Sequence, residues 1–207
     1  QAAITVVGSS SAGNGSSSAV TSLTLTNPGA QAGDVLLVQL ALRTPQFLSP
    51  SGWSSFIYDD NGVSQQLFYR VAGSSEPASW TFSFSSTRAA GGLLLVRGAN
   101  VSSGNPIVAS QSDRGSGSPL NALAATVSTA NSLVVRYFAM ANGNNTVVGP
   151  ATQHYLPATG AGPNGVAISG SSAIAASTGQ SGNATATTAG SASWVSLTVV
   201  LAPVVPP

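Results

Sequence analysis

The chain has 207 residues, enough to bury a substantial core, and 43% of them are hydrophobic. Only 5% are charged, against about 25% in ordinary soluble proteins, and the net charge is +1. Six scattered arginines provide no basic face, so we expect no nucleic acid partner. No apolar run approaches the ~20 residues of a membrane span, so we expect no membrane insertion. Cysteine is absent, which excludes disulfides and thiolate metal sites.

Short apolar runs, many alternating with period two and bounded by Gly, Pro, Asn and Ser, predict a chain made almost entirely of β-strands. Helical periodicity is nearly absent. The predicted strands are, in chain order, 4–7, 22–27, 35–42, 53–58, 66–71, 80–85, 92–97, 107–110, 122–127, 133–140, 146–148, 166–169, 173–176, 184–188 and 194–201.

The two halves of the chain resemble each other weakly. Residues 24–42 are similar in pattern to 125–140, and residues 79–98 to 183–202. Any sandwich repeats such hairpins, and we prefer that interpretation to a true duplication. Long apolar strands that return late in the chain favour a jelly-roll or Greek-key arrangement. We therefore predict an all-β fold: a single jelly-roll/Greek-key β-sandwich with an extended N-terminal strand.

The N-terminus combines a short strand with a Ser/Gly-rich stretch. We divide the chain into 1–18, an N-terminal strand and flexible Ser/Gly linker, and 19–207, the β-sandwich domain. The predicted assembly strand comprises Ala3, Ile4, Thr5, Val6 and Val7. A flexible linker at 8–18 would let this strand pair with its own domain or with another copy. The chain begins at Gln1 with no initiator methionine and no charged-then-apolar leader, which suggests a processed product whose signal segment has been removed; artificial trimming would give the same start.

Two groups of residues are weaker site candidates. Asp59, Asp60 and Asn61, followed by glycine, offer oxygen ligands for calcium, but the same residues are typical of a tight hairpin turn, which we favour. The sequons of the chain begin at Asn14, Asn100, Asn144 and Asn183 and would accept glycans in a suitable host.

Catalytic patterns are not evident. His154 is the only histidine, no GxSxG motif occurs, and neither Asp34 nor Glu76 has an obvious facing carboxylate. Tryptophan, tyrosine and phenylalanine residues could form a platform for sugars, although most follow the pattern of a core. We therefore predict a protein without catalysis and without a cofactor.

Four segments carry a resemblance to a known kind of domain: GDVLLVQLALR at 33–43, SPSGW at 49–53, LFYRVAGSSEPASWTFSFSS at 67–86 and GGLLLVRGAN at 91–100. Together they resemble a β-sandwich domain of secreted bacterial surface proteins and of phage tail and virion-surface proteins. The resemblance covers residues 33–100 best and implies display or assembly, with no catalytic residues.

The sequence thus favours a structural subunit of an extracellular assembly, such as a filament, a sheath or a virion or tail appendage. Copies of the same chain are the expected partners, joined by donation of the N-terminal strand. The alternative is a carbohydrate-binding or adhesive surface module whose partner is a polysaccharide. Both place the protein outside the cell, at a cell surface or on a virion surface.

Overall fold

The computed structural model describes residues 3–13, 18–144, 147–159 and 162–204. Its only described helix is a single 3-10 turn at Gly162–Asn164. The strands are β1 (Thr5–Gly13), β2 (Val20–Thr26), β3 (Val35–Leu42), β4 (Ser54–Asp60), β5 (Ser64–Val71), β6 (Ser79–Thr87), β7 (Ala89–Arg97), β8 (Ile107–Ser116), β9 (Leu120–Ala122), β10 (Thr126–Val127), β11 (Ser132–Met140), β12 (Thr152–Tyr155), β13 (Ala167–Ala175), β14 (Gly179–Gln180), β15 (Ala184–Ala186) and β16 (Ser193–Leu201).

Two five-stranded antiparallel sheets form the centre of the molecule. Sheet I has the order β1-β7-β3-β5-β4, and sheet II has the order β12-β13-β11-β16-β8. Their facing surfaces share one hydrophobic core, to which sheet I contributes residues such as Leu37 and Leu94 and sheet II residues such as Val135 and Leu197. The two sheets are therefore stacked face to face as in a sandwich.

Smaller sheets cover the outer faces of this sandwich. The β2–β6 pair packs on sheet I through a second core that includes Leu25, Phe82 and Leu93. The β9–β15 pair covers sheet II around Phe138 and Trp194. Central strands are consequently buried on both faces, which explains why β3, β7, β11 and β16 read as continuous apolar runs rather than alternating ones.

The two halves of the chain repeat one topology. Sheet I, read as β1-β7-β3-β5-β4, corresponds strand for strand to β8-β16-β11-β13-β12, and β2–β6 corresponds to β9–β15. In the stacked sheets, β1 contacts β12 and β4 contacts β8. Because β1 is equivalent to β8 and β4 to β12, the two contacts are equivalent to each other. The halves therefore meet as an isologous dimer would, within one chain. The weak sequence similarity between the halves, of 24–42 to 125–140 and of 79–98 to 183–202, falls within this structural repeat.

The all-β prediction is confirmed, with several antiparallel sheets. The jelly-roll/Greek-key connectivity is not confirmed, because each five-stranded sheet is drawn from one half of the chain. The flexible linker predicted at 8–18 is wrong for residues 8–13, which continue β1. Gly8 to Gly13 remain in the ladder because main-chain hydrogen bonds to β7 do not require apolar side chains.

Candidate functional site

The predicted assembly strand pairs with its own chain. Strand β1 runs antiparallel to β7, from Thr5 opposite Arg97 to Gly13 opposite Ala90, with a β-bulge at Val7. Ala3 and Ile4 precede the strand, and Ile4 is only 2% exposed within the core shared by sheets I and II. In the single chain, the strand thus completes sheet I in cis.

The attachment of β1 relies on its main chain more than on its side chains. Its residues alternate between exposed and half-buried along the whole strand, and none is fully buried. Val6 packs partly against the shared core, whereas Val7 is 42% exposed. Strand β7, by contrast, is buried along all but its last residue. Ile4 and the ladder to β7 therefore hold β1 in place.

Among the described edge strands of the two central sheets, β1 alone is both long and uncharged. Edge strands usually carry charges, prolines or bulges, or are very short, because their unpaired N–H and C=O groups attract other strands. Strand β4 carries Asp59 and Asp60, β8 carries Asp113 and Arg114, and β12 has only four residues. Strand β1 has nine residues without charge or proline, and it carries a bulge at Val7. Ser10 Oγ donates to Thr26 O at 2.6 Å and Ser9 Oγ to His154 O at 3.3 Å, but no main-chain hydrogen bond described outside the ladder involves this strand.

An ion pair secures the end of β7 that receives β1. The Arg97 guanidinium donates from Nε to Asp34 Oδ1 and from Nη2 to Asp34 Oδ2, both at 2.8 Å, and Gln31 N donates to Oδ2 at 2.9 Å. The hydrogen bonds from Arg97 lower the pKa of Asp34, against the opposing effect of burial. No local pattern in the sequence indicated this bidentate pair between the residue before β3 and the end of β7.

Asp59, Asp60 and Asn61 lie at the end of β4, and their side chains form hydrogen bonds with other groups of the protein. Asp59 Oδ1 accepts from Arg114 Nη1 at 3.2 Å and from Asp60 N at 2.8 Å, and Asn61 Nδ2 donates to Gly115 O at 2.7 Å. These contacts link sheet I to β8 of sheet II. The described residues contain no group of three or more His, Cys, Asp or Glu side chains that could hold a metal ion.

The same segment changes the acidity of a neighbouring phenol. Burial and a hydrogen bond with Asp60 raise the pKa of Tyr58 to about 12. The Asp-Asp-Asn segment therefore has a structural role at the contact between β4 and β8, and the calcium site stays a prediction.

His154 lies on the short edge strand β12. Its Nε2 is 2.7 Å from Ser172 Oγ, and desolvation lowers its pKa below the ordinary value, so the ring is neutral near pH 7. No carboxylate is among the hydrogen-bond partners described for this ring. The pair consequently lacks the acidic member that orients a catalytic histidine.

Three of the four sequon asparagines fall within the described residues, and Asn14 lies outside them. Each of the three uses its Oδ1 to accept a main-chain N–H: Asn100 from Ser102 at 3.0 Å, Asn144 from Gly162 at 3.0 Å and Asn183 from Ala124 at 2.8 Å. These amides stabilise turns and connections, and this structural role does not require glycosylation. The glycosylation sites stay predictions.

Comparison with known proteins identifies no relative: no family model, curated protein or solved structure matches the chain. Within the described ranges, no helix has the length and apolar character needed to cross a membrane.

Proposed function

We propose that this chain is a structural module of an extracellular assembly, at a cell surface or on a virion, and that it associates with copies of itself through the outer edge of β1. The proposal rests on the difference in length and charge between β1 and the other three edge strands of the central sheets. Strand β1 is long and uncharged, whereas β4 and β8 carry charged residues and β12 is short. A net charge of +1 leaves little long-range repulsion between copies.

Edge-to-edge addition requires less rearrangement than donation of the strand. Donation in trans would first break the ladder between β1 and β7 and withdraw Ile4 from the core. Addition at the open edge leaves both in place and joins the sheet I of one copy to that of the next through main-chain hydrogen bonds. Two β1 strands pairing antiparallel form an isologous, closed dimer, whereas an exchanged strand could propagate into a filament.

A pair of matched valine variants tests the proposal. Val7 and Val108 are 42% and 47% exposed and lie on edge strands β1 and β8. Lysine at an edge strand opposes pairing with another strand. We expect Val7→Lys to weaken self-association at least about tenfold, and Val108→Lys to leave it within about twofold of the wild type. Light scattering after size-exclusion chromatography measures the mass of each variant.

Folding of the variants is checked separately by thermal unfolding. Because both valines are substantially exposed, each substitution should change stability by only about 0.5 kcal/mol. Equal loss of association in both variants would contradict the assignment to β1. Negative-stain electron microscopy of the wild type then distinguishes closed dimers from filaments, and thus edge addition from strand donation.

A further inference from the structure

A second open edge lies on the outer layer, along β6. Segment 43–53 begins close beside this strand: Arg43 N donates to Arg88 O, and Thr44 N to Thr87 Oγ1, both at 2.9 Å. At Ser85, only the side chain of Gln46 still reaches the strand. Farther along, the segment and the strand separate and leave a cleft of about 440 Å³ between residues 48–53 and 80–83.

The Gln46 amide occupies the place that a neighbouring main chain would take. Its Nε2 donates to Ser85 O at 3.1 Å, and its Oε1 accepts from Ser85 N at 2.7 Å. Both main-chain groups of Ser85 therefore point toward segment 43–53. On the opposite side, Ala78 O accepts from Asn27 N at 2.9 Å, which is the side of β2.

These two contacts fix the direction of the main-chain groups between them. In an antiparallel strand the N–H and C=O of one residue point to the same side, and the side alternates from residue to residue. The alternation of exposed and buried residues is unbroken from Ser79 to Ser85. Thr81 and Ser83 therefore direct their N–H and C=O groups away from β2, as Ser85 does, and into the cleft.

The side chains around the cleft are aromatic or neutral polar. The ring of Trp53 lies 5.6 Å from Trp80 and 5.4 Å from Phe82, measured between centroids. None of the residues that line the cleft is ionisable. Its volume falls within the ~300–1,000 Å³ typical of ligand sites. An uncharged ligand with an apolar group suits these walls.

The wall opposite β6 is held in position before any ligand arrives. Gln66 brackets Leu48, because its Oε1 accepts from Leu48 N and its Nε2 donates to Leu48 O, both at 2.8 Å. Arg70 donates to Gly52 O at 3.3 Å, and Glu76 accepts from Arg70 Nε at 3.1 Å. Binding would therefore cost little ordering of this wall.

We propose that the cleft binds an extended, uncharged polypeptide segment of a partner, which adds to β6 as a new strand. The main-chain groups of Thr81 and Ser83 pair with it as the Gln46 amide pairs with Ser85, and an apolar side chain of the segment packs on Trp53. Outward N–H and C=O groups repeat at every second residue, which is the spacing of another main chain. This site is separate from the β1 edge and does not depend on self-association.

A library of random heptapeptides displayed on phage is the probe, selected on the folded full-length chain. We expect enrichment of uncharged sequences with an apolar side chain, which quench tryptophan fluorescence on binding. Ser83→Pro removes the N–H that points into the cleft and spares the ladder to β2, whereas Ser83→Ala keeps that N–H and serves as the matched control. The proline variant should lose at least about tenfold in affinity, and the alanine variant less than about twofold.

A second measurement leaves the protein unchanged. Methylating alternate main-chain nitrogens of an enriched peptide should abolish binding in one register of methylation and spare it in the other, because only one edge of the peptide faces β6. The proposal is overturned if no peptide is enriched on the wild type over Ser83→Pro, or if methylation in both registers is harmless. Binding of cellohexaose at Trp53 that Ser83→Pro leaves intact, without peptide binding, would assign the cleft to a neutral glycan instead.

Discussion

Substitution of Gly92 by alanine should disrupt the contact between the two central sheets. Gly92 on β7 and Gly170 on β13 lie on either side of the ring of Tyr155, which is 6% exposed. A Cβ atom at Gly92 would overlap the ring, and one at Gly170 would lie 2.5 Å from its Cζ. The hydroxyl of Tyr155 donates to Gln39 Oε1 at 2.9 Å. The ring therefore fits only where both sheets present glycine.

The expected cost has two sources. Forcing an extra carbon into a packed core costs about 1–3 kcal/mol. Displacing the ring also breaks the bond to Gln39, a fully buried side chain, and an unpaired buried polar group costs about 1–3 kcal/mol. We expect Gly92→Ala to lower the free energy of unfolding by about 2–6 kcal/mol. Gly91→Ala is the matched control, because the atom nearest to its Cβ would be the flexible end of Leu40, at 3.2 Å, and its other neighbours would lie at an ordinary 3.6 Å.

Urea unfolding followed by tryptophan fluorescence provides the free energies, and a double-mutant cycle isolates the contact. In a Tyr155→Leu background, which removes the ring and its hydroxyl, Gly92→Ala should cost less than about 1 kcal/mol. If Gly92→Ala costs the same in both backgrounds, or no more than Gly91→Ala in the wild type, the ring of Tyr155 is not the source of the effect.

Further predictions concern protons and calcium. Burial lowers the pKa of His154 below 6.5, and Arg97 lowers that of Asp34 below 3.8, so both groups bind protons more readily in the unfolded chain. The melting temperature should therefore fall as pH drops below about 6.5, and more steeply below about 4; His154→Gln should remove the first decline and Asp34→Asn the second. Millimolar calcium should leave the melting temperature unchanged, because Arg114 already pairs with Asp59; a rise of several degrees would instead support a calcium site.

Several elements could be predicted from the sequence because their patterns are local. The long apolar strands at 35–42, 133–140 and 194–201 match β3, β11 and β16 to within a residue. Strand β8 was predicted as 107–110 but extends to Ser116, because serines, Asp113 and Arg114 can occupy an edge strand that faces solvent. Pattern alone gives no signal for such polar edges.

The relations between distant residues could not be predicted. The bond between Tyr155 and Gln39 joins positions 116 residues apart, and that between Arg97 and Asp34 joins positions 63 apart. Such pairs depend on which strands become neighbours in the sheets, and the local periodicity of the sequence contains no information on strand order. The cleft beside Trp53 is of the same kind, since it exists only because segment 43–53 diverges from β6. Thr5, Val6 and Val7 of the predicted assembly strand lie in β1, whereas Ala3 and Ile4 precede it, and the partner strand β7 had to come from the structure.

Sedimentation equilibrium of the wild-type chain over a wide range of concentrations tests the proposed self-association most directly. We expect the average mass to rise with concentration from that of one chain to at least that of two, and we expect Val7→Lys, but not Val108→Lys, to shift this rise to higher concentration. A mass that stays at one chain throughout, at concentrations up to the millimolar range, would contradict the proposed self-association.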